Sequence, residues 1–327
     1  MLFARADLVT PMALRVAATL RLADHIAEGA DTIPVLAERV RADPDALGRM
    51  VRYLASIGVF THGPGNSYGL GPLGQMLLSG DSVRPRDWLD IEGAVGGADL
   101  ALLRLLDTVR TGQAGYPLVY GRGFWEKLGE DPALSSSFDA LMDAHLHSHV
   151  AELVSAYDWG SAAHVVDVGG GDGTLLGAIL SEHPRLRGTL VELAGPASAA
   201  RTKLAAQGLS DRCDVVTSSF FDPLPVGGDL YVLSSVLHDW SDEDATSILR
   251  CCAKAAGDKG VVLVIEALIE ETSDPLLISM DIRMLAYTSG KERTAAEFEA
   301  LARRAGLSVA GTRPASYRTL MELKPSV

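Results

Sequence analysis

Cysteine is scarce in this chain. Cys213, Cys251 and Cys252 are the whole supply, two of them adjacent and none in a Cys-x-x-Cys spacing, which argues against a disulfide framework and a zinc site. Long apolar runs are missing as well. The longest, GVVLVIEALI from Gly260, is interrupted by Glu266 and is too short to span a bilayer. The opening residues, MLFARADLVTPMALRV, offer neither a clean apolar core nor a cleavage site, so no signal peptide is read and a cytoplasmic location is expected. Basic residues are in deficit: 29 Lys and Arg against 42 Asp and Glu leave a formal net charge of −13. A surface that acidic repels phosphate backbones and anionic lipids. The expected partner is a small molecule, neither nucleic acid nor membrane.

What is present divides into stretches of different periodicity. Over residues 1–92 the pattern is helical. In TPMALRVAATLRLADHI the residues Met12, Leu14, Val16, Ala17, Leu20 and Leu22 suit one apolar face, and Asp43 with Pro44 opens a later helix. Gly63, Pro64, Gly65 and Asn66 then separate two short apolar pieces, a hairpin signal. Helices followed by a hairpin read as a winged helix. That raises a rival, a DNA-binding regulator, but its recognition helix offers only Arg49 and Arg52 among apolar residues, and the net charge opposes it. A dimerising scaffold that walls a pocket suits this segment better.

Residues 93–157 form a helical stretch rich in aromatics for this chain, with Tyr116, Tyr120, Phe124, Trp125 and Phe138. His145, His147 and His149 alternate, which on a helix turns them in different directions and argues against a three-histidine metal site. From residue 158 to 327 the pattern alternates: HVVDV, GTLVEL, CDVVTS, DLYVLSSVL and GVVLVIEAL are β-rich runs separated by helical ones. This predicts an α/β domain with a doubly wound parallel sheet covered on both faces, binding its ligand at the carboxyl ends of the strands.

The first strand ends in VVDVGGGDGTLL. Its glycines do not follow the dinucleotide fingerprint, because Thr174 stands where the last glycine belongs. Asp167, just before the loop, would repel a pyrophosphate but suits an ammonium or sulfonium group. Gly169 and Gly171 permit close backbone approach, the following helix can meet a carboxylate, and Glu192 ends the second strand where it can accept ribose hydroxyls. These features fit S-adenosylmethionine.

DVGGGDGTLL, SSFFDPLP, YVLSSVLHDW, VLVIEA and DIRMLAYTSGKERTAAEF resemble, in that order, the motifs of the plant-type O-methyltransferase family, in its bacterial branch that modifies aromatic polyketides. ADLVTPMALRVAATLRLADHI and YGRGFWEKLGEDPALSSSFDALM extend the resemblance over nearly the whole chain. It implies a class I methyltransferase Rossmann-like domain, an amino-terminal winged-helix dimerisation domain in an interlocked homodimer, and S-adenosylmethionine as donor, leaving S-adenosylhomocysteine, with no metal. It also implies a base at His238 supported by Glu266 and Glu292, cofactor contacts at Gly169 and Glu192, and an indole near adenine at Trp240. Ser219 and Phe220 stand where aspartate and methionine are common, and Ser234, beside Ser235, stands where a lysine often contacts adenine. These departures bear on the adenine contacts, not on the cofactor.

His238 and Glu266 are expected at the ends of the fourth and fifth strands, where the imidazole can take a phenol's proton and a carboxylate can fix its tautomer. Ser241 and Asp244 have capping-box spacing for the next helix. Trp125, Phe138, Met142, Met280, Arg283, Met284 and Tyr287 are the acceptor-binding candidates, suited to a flat naphthoate-like or anthracycline-like ring. Arg5 could reach a partner's site across the dimer. Some relatives of this family hydroxylate or decarboxylate instead and lack the base histidine, which this chain has.

Overall fold

The computed structural model describes residues 2–80 and 84–326, the side chain of Ala4 excepted. They fall into two compact units, residues 1–100 with 131–144, and residues 101–130 with 145–327.

The first unit holds the helices Val9–Thr19, Leu22–Ala27, Ile33–Val40 and Pro44–Ser56, followed by the hairpin of β1 (Phe60–His62) and β2 (Tyr68–Leu70). Asp43 caps its helix by accepting from Ala46 N at 2.8 Å, as its position before Pro44 predicts. Leu22, Leu36, Val51, Leu54 and Phe60 are all but fully buried in one core. Of the apolar face read from the sequence, Ala17 and Leu22 are buried and Leu14 and Leu20 pack against that core. Ala13 and Ala18, which were not read, are buried with them, while Met12 and Val16 are only half-buried. The hairpin turn at Gly63–Asn66 closes with Gly63 N donating to Ser67 O at 2.8 Å. The helices-then-hairpin order is the one expected.

The second unit is built on a seven-stranded sheet of β3 (His164–Val168), β4 (Arg187–Glu192), β5 (Cys213–Thr217), β6 (Leu230–Ser234), β7 (Val261–Ala267), β8 (Leu307–Ala315) and β9 (Arg318–Pro325). Their order across the sheet is β5-β4-β3-β6-β7-β9-β8. β3 to β7 are mutually parallel and β9 runs antiparallel to β7 and β8. Alternate residues feed two cores. Val166, Val168, Val262 and Val264 pack with Ile248, Leu249, Phe298 and Leu301, while Val165, Leu263 and Ile265 pack with Leu175, Leu176, Ile179 and Leu180. Both faces are thus covered, which is why these strands read as unbroken apolar runs. The chain reverses its direction of winding between β3 and β6, and the ends of β3, β4, β6 and β7 bring Asp167, Glu192, Ser234 and Glu266 to one edge. The β8–β9 hairpin was not among the expected strands.

Candidate active site

His238 does not end a strand. β6 stops at Ser234, Ser235 takes a left-handed φ of 55°, and His238 sits on a short turn of 3-10 helix, Leu237–Asp239. The reason lies on the neighbouring strand. Ser235 N still donates to Ile265 O at 3.0 Å, but the next two N–H groups, of Val236 and Leu237, donate to Glu266 Oε1 at 2.9 and 2.8 Å. A side-chain carboxylate takes over from the ladder, and the backbone curls around it. Its other oxygen, Oε2, lies 2.7 Å from His238 Nδ1.

This pair is electrostatically settled. Burial works against a charge on Glu266, which is 1% exposed, but His238 and the N–H of Leu237 outweigh it and hold the carboxyl below its usual value. Burial likewise opposes charge on His238, yet Glu266 and then Asp239 raise the imidazole to about 10. With Nδ1–H given to Glu266, Nε2 has Asp239 Oδ1 at 3.7 Å, too far for a hydrogen bond. Burial pushes Asp239 up to about 6 and Glu292 up to about 7, with His238 opposing both shifts. Of the two acids expected to support the histidine, Glu266 is hydrogen-bonded to it and Glu292 acts on it through charge.

The segment Gly290–Arg293 braces the same turn. Lys291 N donates to His238 O at 2.8 Å. A Cβ on Gly290 would lie 2.2 Å from His238 O, so only glycine lets the two backbones meet. Arg293, fully buried, donates from Nη1 to Leu237 O at 2.7 Å, from Nη2 to Trp240 O at 2.8 Å, and from Nε to Asp242 Oδ1 at 3.0 Å. Ser241 caps the following helix by accepting from Asp244 N at 3.2 Å. Its hydroxyl donates to Asp244 Oδ2 at 2.8 Å, so the reciprocal bond of a full capping box is absent there. The reciprocal box forms instead at Thr294 and Glu297.

At the end of β3, Asp167 is 2% exposed and neither carboxylate oxygen has a hydrogen-bond partner among the described residues. Burial, and then the charge of Glu192, push it up to about 7. Gly169, Gly171 and Gly173 follow with φ of 71°, 59° and 82°, and a Cβ on Gly169 would meet Val236 at 3.1 Å and Phe220 at 3.4 Å. Glu192 accepts from Gly171 N at 3.1 Å and from Leu193 N at 2.7 Å. Ser219 Oγ accepts from Phe221 N at 3.2 Å. Phe220 and Phe221 both stand edge-on to Trp240, with ring centroids 5.6 and 4.9 Å away. Phe221 was not anticipated, although it is quoted in SSFFDPLP.

Trp125 stacks on Trp240 with centroids 6.3 Å apart and planes 13° from parallel. It also lines a cavity of about 410 Å³ with Phe124, Leu118, Tyr287, Thr288 and Ser289. Tyr287 stacks on Phe124 at 6.2 Å. Met280, Arg283 and Met284 lie on the helix Pro275–Tyr287 that carries Tyr287, with Arg283 Nη1 donating to Ser279 Oγ at 2.9 Å. Phe138 and Met142, half-buried, and Arg5, exposed, belong to the other unit. Sequence reasoning missed Arg293 and Gly290, which stand in SGKERT where only Glu292 was singled out, and named Phe124 only among the aromatics of its stretch.

Residues 103–308 match the O-methyltransferase domain and residues 5–80 the O-methyltransferase dimerisation domain. The chain is 50% identical to 2,7-dihydroxy-5-methyl-1-naphthoate 7-O-methyltransferase of Streptomyces carzinostaticus, over 98% of this chain and 96% of that protein. It is 49% identical to aclacinomycin 10-hydroxylase RdmB of Streptomyces purpurascens, over 96% of this chain and 85% of that protein. It superposes with a TM-score of 0.95, at 50% identity, on a crystal structure of an O-methyltransferase from neocarzinostatin biosynthesis in complex with S-adenosylmethionine and 2-hydroxy-5-methyl naphthoic acid, covering 100% of this chain and 99% of that one. The chain belongs to the O-methyltransferase family.

Proposed function

We propose that this enzyme methylates a phenolic hydroxyl of an aromatic polyketide-type compound, naphthoate-like or anthracycline-like, from S-adenosylmethionine, with His238 as general base. The observation that carries the base assignment is the 2.7 Å contact between His238 Nδ1 and Glu266, which leaves Nε2 to receive a proton. A buried imidazole at about 10 is close to the ordinary value of a phenol, so proton transfer between them is nearly balanced. At about 10 the imidazole is mostly protonated near neutral pH, so the competent form is the neutral one, whose share grows towards pH 10. In it Nε2 takes the phenol's proton as the oxygen attacks, and Glu266 stabilises the imidazolium. Glu292 adds to the charge that raises the imidazole. The remaining contribution is alignment of the acceptor.

S-adenosylmethionine, when bound, supplies a methyl group on a positively charged sulfur. The unpartnered carboxylate of Asp167 fits such a ligand, because a buried acid without donors is costly until a cation or donor meets it. We assign Asp167, Gly169, Gly171 and Glu192 to its amino-acid and ribose ends, and Ser219, Phe220, Ser234, Ser235 and Trp240 to its adenine side. Trp125, Met280, Arg283, Met284 and Tyr287 are assigned to the acceptor, whose flat ring suits the aromatic cavity wall. Arg5, Phe138 and Met142, which belong to the other unit, are assigned to the acceptor as well, and the acceptor KM of their alanine variants tests this.

The division of labour we infer is dimerisation by residues 1–92, acceptor binding by 93–157 and cofactor binding by 158–327. The dimerisation-domain match over 5–80 supports a homodimer, which light scattering of the purified protein tests; that its amino-terminal domains interlock is inferred from the family resemblance alone. No helix among the described residues is long and apolar enough to cross a membrane.

A second reading, oxygen insertion on the same fold, is favoured by the 49% identity to the hydroxylase. Mass spectrometry of products from hydroxynaphthoates, anthracyclines and simple phenols separates the two, since one adds a methyl group and the other an oxygen. His238→Ala should abolish most methyl transfer while leaving cofactor affinity nearly intact. Wild-type rates in that variant on the true acceptor would sink the base assignment.

A further inference from the structure

The turn that carries His238 has no ladder of its own. Its backbone is held from two sides, and the Glu266 side has been described. On the other side, three carbonyl groups of the turn find donors in one short segment: Leu237 O and Trp240 O on the Arg293 guanidinium, and His238 O on Lys291 N. The guanidinium is also tied back to its own segment through Lys291 O at 3.2 Å from Nη1. Its outer edge is fixed by Asp242 Oδ1, 3.0 Å from Nε and 2.9 Å from Nη2. Arg293 is fully buried with its fork of donors engaged, while Asp242 is half exposed.

We propose that Arg293 is a positioning residue for methyl transfer, a guanidinium that clamps the two ends of the histidine turn and so sets the direction of His238 Nε2. The inference rests on His238 being the base. The planar fork matters, because only it offers donors along several directions at once, and a lysine ammonium in the same volume reaches fewer of these acceptors. Burial makes the arrangement stiff, since every lost bond leaves a buried carbonyl without a donor. The same cation spans from the residue before His238 to Trp240. A shift at one end of the turn is therefore transmitted to the other through a single rigid group.

Arg293→Lys and Asp242→Asn test this, each measured alone and in the His238→Ala background with a radiolabelled-methyl assay. In the wild-type background Arg293→Lys is expected to lower kcat about 100-fold, the scale of a 1 Å misplacement. Asp242→Asn, which keeps the carbonyl contacts, is expected to lower it about fivefold. In the His238→Ala background each should change the residual rate by less than about twofold, because a group acting through the imidazole has nothing left to position. A role in general folding would instead give losses that multiply in both backgrounds. Should Arg293→Lys fail to fold, Asp242→Asn at the half-exposed end decides alone. Wild-type kcat in the folded variants, or multiplying losses, overturns the positioning role. Full activity in His238→Ala by itself overturns the base assignment instead, and the two failures are thereby distinct.

Discussion

Glu266 and Asp167 make an instructive pair. Both are carboxylates near the ends of parallel strands, 1% and 2% exposed, and burial penalises the charge of each alike. One is satisfied on every side: two backbone N–H groups and an imidazole hold Glu266 ionised. The other has no hydrogen-bond partner among the described residues and is pushed up to about 7. The protein completes the first site by itself and leaves the second for a ligand to complete. Half of the active edge is preorganised machinery, and the other half is a deficit that binding relieves.

The comparison breaks most visibly at its satisfied half. Glu266→Gln should lower kcat by about 10²–10⁴-fold, because a neutral amide neither stabilises the imidazolium nor enforces its tautomer. With the main charge that raises His238 gone, the pH at which kcat levels off should also move down from about 10. A pH–rate profile that keeps its wild-type midpoint would show that Glu266 does not control the imidazole.

At the unsatisfied half the effects should divide. Asp167→Asn is expected to weaken cofactor binding about 10- to 100-fold by calorimetry, the value of a charge-assisted hydrogen bond. Yet the same change should raise the melting temperature of the ligand-free protein at pH 8. The sign follows from linkage: the folded-state value of Asp167, about 7, lies above the unfolded one. Stability is thus lost as pH rises from near 3.8 through 7, and the whole cost is present at pH 8. The gain in melting temperature should shrink towards pH 4. A lower melting temperature in the variant at pH 8 would mean that Asp167 has a partner in the folded protein.

A smaller effect needs no mutation. Cofactor affinity of the wild-type protein should fall about fivefold between pH 7 and pH 6, as Asp167 takes up a proton that the ligand must displace. A flat profile would remove the acid from the binding step. Smallest is Ser235→Gly, where relief of the left-handed φ of 55° should stabilise the protein by about 1 kcal/mol in urea unfolding. A net loss of stability would point to a use for the Ser235 side chain that outweighs its backbone strain.

Much of this was legible in the residues. The strands β3, β4, β6 and β7 announce themselves because both faces are buried, the edge strand β5 by its short apolar run alone, and Asp167, Gly169 and Glu192 because their types and spacing suit one kind of ligand. The β8–β9 hairpin escaped notice. β8 is largely exposed and contains Gly311 and Pro314, so it shows neither alternation nor an apolar run. The departure of His238 from its strand was hidden for another reason: Val236 and Leu237 are captured by Glu266, 30 and 29 residues later. Local propensity has no access to such a bond. Arg293 and Gly290 were similarly mute, since a buried clamp and a surface charge are the same letter until the fold is known. The cavity is split between residues 113–126 and 287–289; Trp125 and Tyr287 were singled out for the acceptor, Phe124 was named only as one of the aromatics of its stretch, and Ser289 gave no signal.

The place of β9 in the sheet has a consequence for biosynthesis. The strand that presents Glu266 pairs with β6 on one side and with β9, Arg318–Pro325, on the other. During translation β7 therefore stays an open edge until residue 325 has cleared the ribosome, long after the glycine loop and its helix have been made. The nascent chain can acquire its ligand cleft early, but the support beneath the histidine comes last.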